Sequence, residues 1–272
     1  LINFCRLHWF GLAQIGVMFL ALILRLYQFA QTPVSLYWEE AALLYDAYSL
    51  SETGHDLHGN FLPILAVESF GDNKPSGYFY ALVPFIKVFG TQDFVVKLPS
   101  FFAGILLVLG SGSLVQALFA LRKKEQINEQ EKAFKKLNVP LTNLSIEKIL
   151  VLTSMFVTAV NPSLIHLSHV GFETNLATAF LLWGVIFLLQ AIKKITHFNW
   201  RLLIGELLLL CSFYTYHALR IVAPLLGLYL IIWFFLAQKK FLRKNLFNFF
   251  CAIVLLFISL MPVIFTQQTT LT

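Results

Sequence analysis

The feature that most constrains this chain is a series of seven apolar runs, each long enough to cross a lipid bilayer as one α-helix. The runs are residues 9–30, 97–121, 147–167, 172–192, 201–217, 218–238 and 246–266. They are continuous, whereas the strands of a membrane barrel alternate between apolar and polar residues. Only 12% of the residues are charged, against about 25% in soluble domains. The sequence therefore predicts an all-α integral membrane protein, a polytopic helical bundle of about seven transmembrane helices.

An eighth apolar stretch, residues 77–89, does not fit a crossing. It is short, it follows Pro75, and it contains Pro84 and Lys87, which together favour an interfacial helix. We expect residues 1–272 to form a single transmembrane domain. Because the chain begins without methionine and stops just after an apolar run, we expect this domain to be incomplete at its C-terminus.

The basic residues predict how the bundle is oriented. With seven crossings, the connections 122–146, 193–200 and 239–245 share a side with the N-terminus and hold most of the Lys and Arg residues. The positive-inside rule makes that side cytoplasmic, and residues 122–146 are expected to form a solvated cytoplasmic loop. The formal charge of +6 then reflects topology, so nucleic acid is not an expected partner.

The long connection 31–96 falls on the opposite, external side and is acidic. Its residues 39–52 have an apolar helical face, which predicts an amphipathic helix on the membrane surface. That face consists of Ala41, Leu44, Tyr45 and Tyr48. Residues 60–70 are expected to be irregular, and residues 71–75 are expected to turn into the second interfacial helix. Two surface helices flanking a polar loop would form a lid over the bundle.

Three carboxylates are the strongest candidates for chemistry. Glu39 and Glu40 begin the first interfacial helix, and Glu173 begins the fourth apolar run on the same external side. Charges are costly in hydrocarbon, so carboxylates from distant stretches at one membrane face indicate a reaction centre. The alternative is that each acid only stabilises the first turn of a helix, through free amides and the helix dipole.

Histidines accompany the third carboxylate in the segment HLSHVGFETN, and His169 is a candidate for substrate binding. These histidines are either ordinary interfacial side chains or, with the carboxylates, a site for a divalent cation. The spacing does not resemble a fixed ligand set, so we assign no metal ligands. Two further charges lie inside apolar runs: Arg25 is expected to snorkel to the external end, and Glu206 to serve as a structural partner.

A cationic and aromatic turn, YTYHALR, joins the fifth and sixth runs on the external side. Its polar side chains suit a phosphate or pyrophosphate at the level of the lipid headgroups. They are Tyr214, Tyr216, His217 and Arg220. Lys74 offers a second contact for an anion. The alternative is that the turn belongs to the aromatic belt, with a snorkelling arginine.

The order of these features resembles the GT-C polytopic glycosyltransferases. The first run ends ALILRLYQF, the loop reads YWEEAALLYDAYSLSETGHDLHGNFLPILAVESFGDNKPSGYFYALVPFIKVFG, and FVVKLPSFFAGILLVL follows. The chain looks most like the bacterial relatives of the protein O-mannosyltransferases in glycosyltransferase family 39, and it is similar also to the lipid A aminoarabinose transferases. The resemblance extends over nearly the whole chain and is strongest over residues 20–110 and 160–225.

The resemblance implies a role for each candidate. Glu39 takes the position of the family's catalytic base, the first acid of a pair, with Glu40 and Glu173 as supporting carboxylates. Lys74, directly before Pro75, is implied to meet the donor phosphate. The YTYHALR turn is implied to lie near the headgroup of the lipid carrier.

Enzymes of this kind take a sugar from a polyprenyl monophosphate and transfer it to an acceptor hydroxyl, with inversion at the anomeric carbon. The sugar phosphate already has a good leaving group. The protein must therefore remove a proton from the incoming hydroxyl and stabilise the departing phosphate. A carboxylate opposite a cluster of cations supplies both.

The expected protein is a glycosyltransferase of the inner (plasma) membrane with its site on the extracytoplasmic side. Its expected partners are membrane lipids, a polyprenyl-phosphate sugar as donor, with a mannose-like hexose favoured, and an acceptor protein, lipid or glycan. No further cofactor is assigned, and a divalent cation stays open. The rival is a transporter or flippase of a lipid-linked sugar, which would place charged or broken-helix sites nearer the membrane midplane.

Overall fold

The computed structural model describes residues 2–134, 143–191 and 199–237. The helices are α1 (Ile2–Leu26), α2 (Trp38–Thr53), α3 (Gly77–Phe89), α4 (Leu98–Phe134), α5 (Asn143–Val160), α6 (Pro162–Ser168), α7 (Glu173–Ala191), α8 (Trp200–Phe213) and α9 (Leu219–Ala237). Two strands, β1 (Ala66–Ser69) and β2 (Asp72–Pro75), lie between α2 and α3, and a 3₁₀ turn over Val95–Lys97 leads directly into α4.

The chain is a helical membrane protein. Within the described ranges, three helical segments are long and apolar enough to cross a bilayer, namely Trp9–Leu26, Val95–Leu121 and Glu173–Ala191. The segments Ile146–Val160 and Pro162–Ser168 together make a fourth, bent by 58°. Helices α8 and α9 occupy the predicted runs 201–217 and 218–238 with 14 and 19 residues. The predicted run 246–266 lies outside the described residues.

The bend between α5 and α6 falls at Pro162, which has no amide hydrogen to continue α5, and a buried arginine binds the carbonyls freed there. Helix α5 ends at Val160, and the side-chain oxygen of Asn161 accepts hydrogen bonds from the first amides of α6. The guanidinium of Arg25 donates to the carbonyl of Ala159 at 3.0 Å and to that of Thr158 at 3.3 Å. It thus satisfies carbonyls that the end of α5 leaves free. The prediction that Arg25 snorkels is wrong, because the residue is fully buried.

Close backbone packing brings the central helices together. Helix α7 lies between α4 and α8, and α5 packs against both α1 and α4. A Cβ atom on Gly184 of α7 would lie 3.0 Å from the carbonyl oxygen of Gly205 on α8. Small residues at such crossings let transmembrane helices approach each other, so van der Waals contact and not water exclusion stabilises the pair.

The segment between α1 and α4 forms a compact layer over one end of the bundle. Helix α3 has the bounds that the sequence predicts, and its 13 residues measure about 20 Å, too short for a hydrocarbon core of about 30 Å. Helices α2 and α3 pack together through a cluster of fully or almost fully buried side chains. They are Leu43, Ala47, Tyr78, Phe79 and Leu82.

Strands β1 and β2 form a β-hairpin, in a region where the sequence predicts irregular chain followed by a turn. Ser69 pairs with Asp72 and Val67 with Lys74, around a two-residue turn at Phe70 and Gly71. Both turn residues have positive φ, 51° and 79°, as the right-handed twist of a tight hairpin requires. Val67 and Ser69 lie on the buried face of the hairpin. Because Lys74 pairs with Val67, its side chain is on the same face.

Two further helical details differ from the predictions. Of the predicted apolar face of α2, Leu44 is buried in the protein, whereas Ala41, Tyr45 and Tyr48 are exposed. Residues 122–134 of the predicted cytoplasmic loop are helical, because α4 continues to Phe134 through a run rich in Lys, Glu and Gln, which are good helix formers. Residues 135–142, in the same predicted loop, lie outside the described ranges.

Candidate functional site

Three distant stretches of sequence meet at one end of the bundle. The amide of Gly77, at the start of α3, donates to the carbonyl of Tyr214 at 2.7 Å. The guanidinium of Arg220 donates to the carbonyl of Leu65 at 2.8 Å, just before β1. The amide of Gly171, before α7, donates to a carboxylate of α2 at 2.6 Å. The layer over α1 and α4, the α6–α7 turn and the α8–α9 turn therefore share one end of the molecule.

Glu40 is the carboxylate that joins two of these stretches. Its Oε2 accepts from the amide of Tyr37 at 2.9 Å, and its Oε1 accepts from the amide of Gly171 at 2.6 Å. The residue is fully buried, and the ammonium of Lys97 lies within electrostatic range. Glu40, predicted as a supporting carboxylate, thus has both oxygens committed to backbone amides and holds α2 against the turn before α7.

A glycine makes the contact with Glu40 sterically feasible. A Cβ atom on Gly171 would lie 2.8 Å from the Cγ2 atom of Val96 and 2.9 Å from its carbonyl oxygen. Any side chain here would push the turn away from α4. The bare backbone lets the Gly171 amide approach the carboxylate.

Glu39 and Glu173 are the open carboxylates of this end of the bundle. Both are partly buried, and neither forms an ion pair or a hydrogen bond with another residue in the described part of the chain. Glu173 begins α7, where a free carboxylate is stabilised by the helix dipole. Lys74, Glu39 and Asp72 all lie within electrostatic range of it. The structure therefore brings the two predicted acids into one cluster with one cation.

Lys74 presents an unpaired ammonium group beside these acids. The residue is only 6% exposed, and its Nζ lies 5.5 Å from the centroid of the Trp38 ring. No carboxylate within the described ranges approaches that nitrogen to 4 Å. A lysine with free donors and a nearby aromatic face is suited to bind a phosphate as a point charge.

Asp46 is a buried acid that the sequence analysis did not single out. It is 1% exposed, neither carboxylate oxygen meets hydrogen-bond geometry, and the buried hydroxyl of Ser69 beside it is likewise unpaired. Burial raises the pKa of Asp46, and the nearby Ser69 and Lys74 oppose that rise. The sequence could have indicated Asp46, because it lies two helical turns after Glu39 on the same side of α2.

The YTYHALR turn lies against the hairpin. Arg220 uses one guanidinium nitrogen for Leu65, while its buried Nε has no hydrogen-bond partner among the described residues. Tyr214 and Tyr216 are partly buried, and His217 is exposed. Partial desolvation of the ring and the charge of Arg220 lower the pKa of His217, against an opposing contribution from Asp72. The predicted anion contacts therefore adjoin the acidic hairpin tip, and Arg220 is partly committed to the backbone.

His169 has no free ring nitrogen in this structure. Its Nδ1 lies 2.9 Å from the carbonyl of Ile165, and its Nε2 lies 3.1 Å from the carbonyl of Tyr27. The ring also packs at 6.0 Å from that of Phe29. These contacts connect the end of α6 to the end of α1, so the geometry favours a structural role over the predicted contact with substrate.

The arrangement offers two open carboxylates and one lysine in a single cluster, a set suited to proton removal beside a bound anion. In the described ranges, no group of three or more His, Cys, Asp and Glu side chains is arranged to hold a metal ion. Comparison with protein-family models, curated proteins and solved structures gave no match to this chain.

Proposed function

We propose that this protein is a membrane glycosyltransferase that transfers a mannose-like hexose from a polyprenyl phosphate to an acceptor hydroxyl, with inversion. The observation that supports the proposal is the cluster of Glu39, Glu173 and Lys74, from three separate elements, at one end of a helical membrane bundle. The family resemblance of the sequence gives the reaction, and the cluster supplies the groups that this reaction needs.

In this proposal, Glu39 is the base. Its carboxylate removes the proton of the acceptor hydroxyl while the hydroxyl oxygen attacks the anomeric carbon. The bond from that carbon to the phosphate oxygen breaks, and the polyprenyl phosphate leaves against the ammonium of Lys74. Glu173 keeps the local potential negative enough for Glu39 to stay a useful proton acceptor. The layer of α2, the hairpin and α3 limits the access of water, which would otherwise hydrolyse the donor.

The proposal includes the topology. A seven-span bundle in the plasma membrane, with the site on the extracytoplasmic side, puts the acidic layer outside and the Lys/Arg-rich connections inside. The lipid carrier then reaches Lys74 from the outer leaflet, and the acceptor, whether protein, lipid or glycan, approaches from the aqueous side.

The test is transfer of label from radiolabelled undecaprenyl-phosphate-mannose, supplied to membranes containing the full chain. Glu39→Gln should lower kcat at least about 100-fold with little change in KM, since general base catalysis contributes 10²–10⁴-fold. Lys74→Ala should instead raise KM about tenfold, through the lost contact to phosphate. Glu52→Gln, at the exposed end of α2, is the matched control and should leave transfer unchanged. Wild-type rates for Glu39→Gln would remove the base from the proposal.

One observation favours the flippase alternative. The Oε2 atom of Glu206, on α8, is buried and has no hydrogen-bond partner among the described residues. Unpaired carboxylates within a bundle are typical of transport pathways. In the same membranes, a flippase would move label across the bilayer within the lipid fraction, and Glu206→Gln would abolish that movement. Label recovered in an acceptor, unaffected by Glu206→Gln, would exclude this alternative.

A further inference from the structure

A pair of exposed aromatic side chains borders the open carboxylates. Trp38 directly precedes Glu39 and is 55% exposed, although the Lys74 ammonium lies over its ring. Phe70, at the tip of the hairpin, is 77% exposed and meets the Trp38 ring edge-on, at 6.3 Å and 86°. The two rings therefore form a continuous aromatic surface next to both the cation and the acids.

The backbone of Phe70 is held in a conformation that its side chain disfavours. Its φ of 51° is left-handed, in the first position of a two-residue turn where Asn, Asp or Gly are the usual residues. For a bulky side chain this conformation is unfavourable. Burial does not offset the cost, because most of the ring is exposed. Strain of this kind persists where a side chain must be presented at one place, which points to a ligand.

An aromatic belt at the lipid interface does not explain this surface well. Belt residues lie at the level of the lipid headgroups, whereas the Trp38 ring has the ammonium of a buried lysine over it and is within one residue of the proposed base. Aromatic faces bordered by carboxylates suit a pyranose ring, whose C–H face packs on an indole while its hydroxyls donate to the acids. The Lys74 ammonium lies only 5.5 Å from the indole centroid. A phosphate on Lys74 would therefore leave its sugar at Trp38.

We infer that Trp38 and Phe70 form a subsite for the hexose ring of the lipid-linked donor. The inference rests on the proposed function and adds the recognition of the sugar to that of the phosphate. Trp38 supplies the stacking face, and Phe70 closes over the edge of the ring. The hairpin turn holds Phe70 in place even without ligand.

The experiment compares two lipids, undecaprenyl phosphate and undecaprenyl-phosphate-mannose, binding to the full chain in nanodiscs. The wild type should bind the mannosylated lipid more tightly, and Trp38→Ala should remove about tenfold of that preference while Trp38→Phe keeps most of it. Phe70→Gly distinguishes a loss of sugar binding from a loss of stability. It relieves the left-handed turn, so its thermal stability should not fall, yet its preference for the mannosylated lipid should drop about threefold. Tyr45→Ala, an exposed aromatic elsewhere on α2, should change neither.

The outcomes separate this inference from the proposed function. A wild-type preference for the mannosylated lipid that survives both Trp38→Ala and Phe70→Gly would overturn the subsite and leave the glycosyltransferase proposal standing. Equal wild-type affinity for the two lipids would also overturn the subsite. Failure of the wild type to bind either lipid would refute both.

Discussion

Replacing Glu40 tests whether the carboxylate bridge holds the site together. Glu40→Gln keeps the size of the side chain, but its amide has one acceptor oxygen for the two backbone amides of Tyr37 and Gly171. One of the two hydrogen bonds is therefore lost, and the NH₂ group of the glutamine side chain is left beside a backbone N–H, which is also a donor. A hydrogen bond to a charged group contributes about 1.5–3 kcal/mol, and this residue is fully buried, so we expect a loss of about 2–3 kcal/mol. At about 2–4 °C per kcal/mol, the melting temperature should fall by about 4–12 °C.

The assay is thermal unfolding of the purified full chain in detergent, followed by transfer measurements on the same preparations. Glu39→Gln is the matched control. It removes a carboxylate one residue away that has no hydrogen bond to other described residues, so the melting temperature should stay within about 2 °C of the wild type.

A second variant checks the mechanism. Gly171→Ala should cost stability because its Cβ would approach Val96, and by moving the amide it should break the same bridge. The double variant with Glu40→Gln should then lose less than the sum of the single losses. Full stability of Glu40→Gln, or strict additivity of the pair, would refute the bridge as described.

Two other predictions concern groups outside the site. Burial alone would raise the pKa of Asp56, but hydrogen bonds from the Asn60 side chain and from the Asn60 and His58 amides outweigh burial and hold that pKa below its usual value. The carboxylate therefore stabilises the fold above the unfolded pKa of about 4, and this contribution is lost as the pH falls through the lower folded value. Melting curves of Asp56→Asn and wild type should differ at pH 7 and converge near pH 2, and a difference that does not change with pH would contradict the assignment. Arg25→Met should lower stability by about 3 kcal/mol because it leaves the Ala159 and Thr158 carbonyls unpaired in the membrane, and an undiminished melting temperature would show that the end of α5 does not need the guanidinium.

The elements that the sequence predicted well are those with strong local signals. The bounds of α3 follow from an apolar run between Pro75 and Gly90, the latter with a φ of 71°. Glu39 and Glu173 share one end of the bundle because the order of the apolar runs fixes which connections lie on the same side. Neither inference requires knowledge of a long-range contact.

The features that the sequence missed depend on contacts between distant residues. Glu40 meets Gly171 across 131 positions, and nothing local to either residue indicates the partner. The hairpin consists of two four-residue strands, too short to give a clear alternating pattern, and its turn has Phe70 where Asn or Asp would be the usual signal. The hairpin packs on a second side of α2 and buries Asp46 there. A sequence pattern with one apolar face predicts burial on only one side of the helix.

The position of Arg25 also has a consequence for how the protein is made. The carbonyl of Ala159 that receives this guanidinium lies 134 positions further along the chain, so it does not exist when α1 first emerges from the ribosome. Until α5 is synthesised, α1 must leave its cation hydrated at the membrane surface. The final depth of the first helix is therefore set late, when a partner helix arrives with its terminal carbonyls.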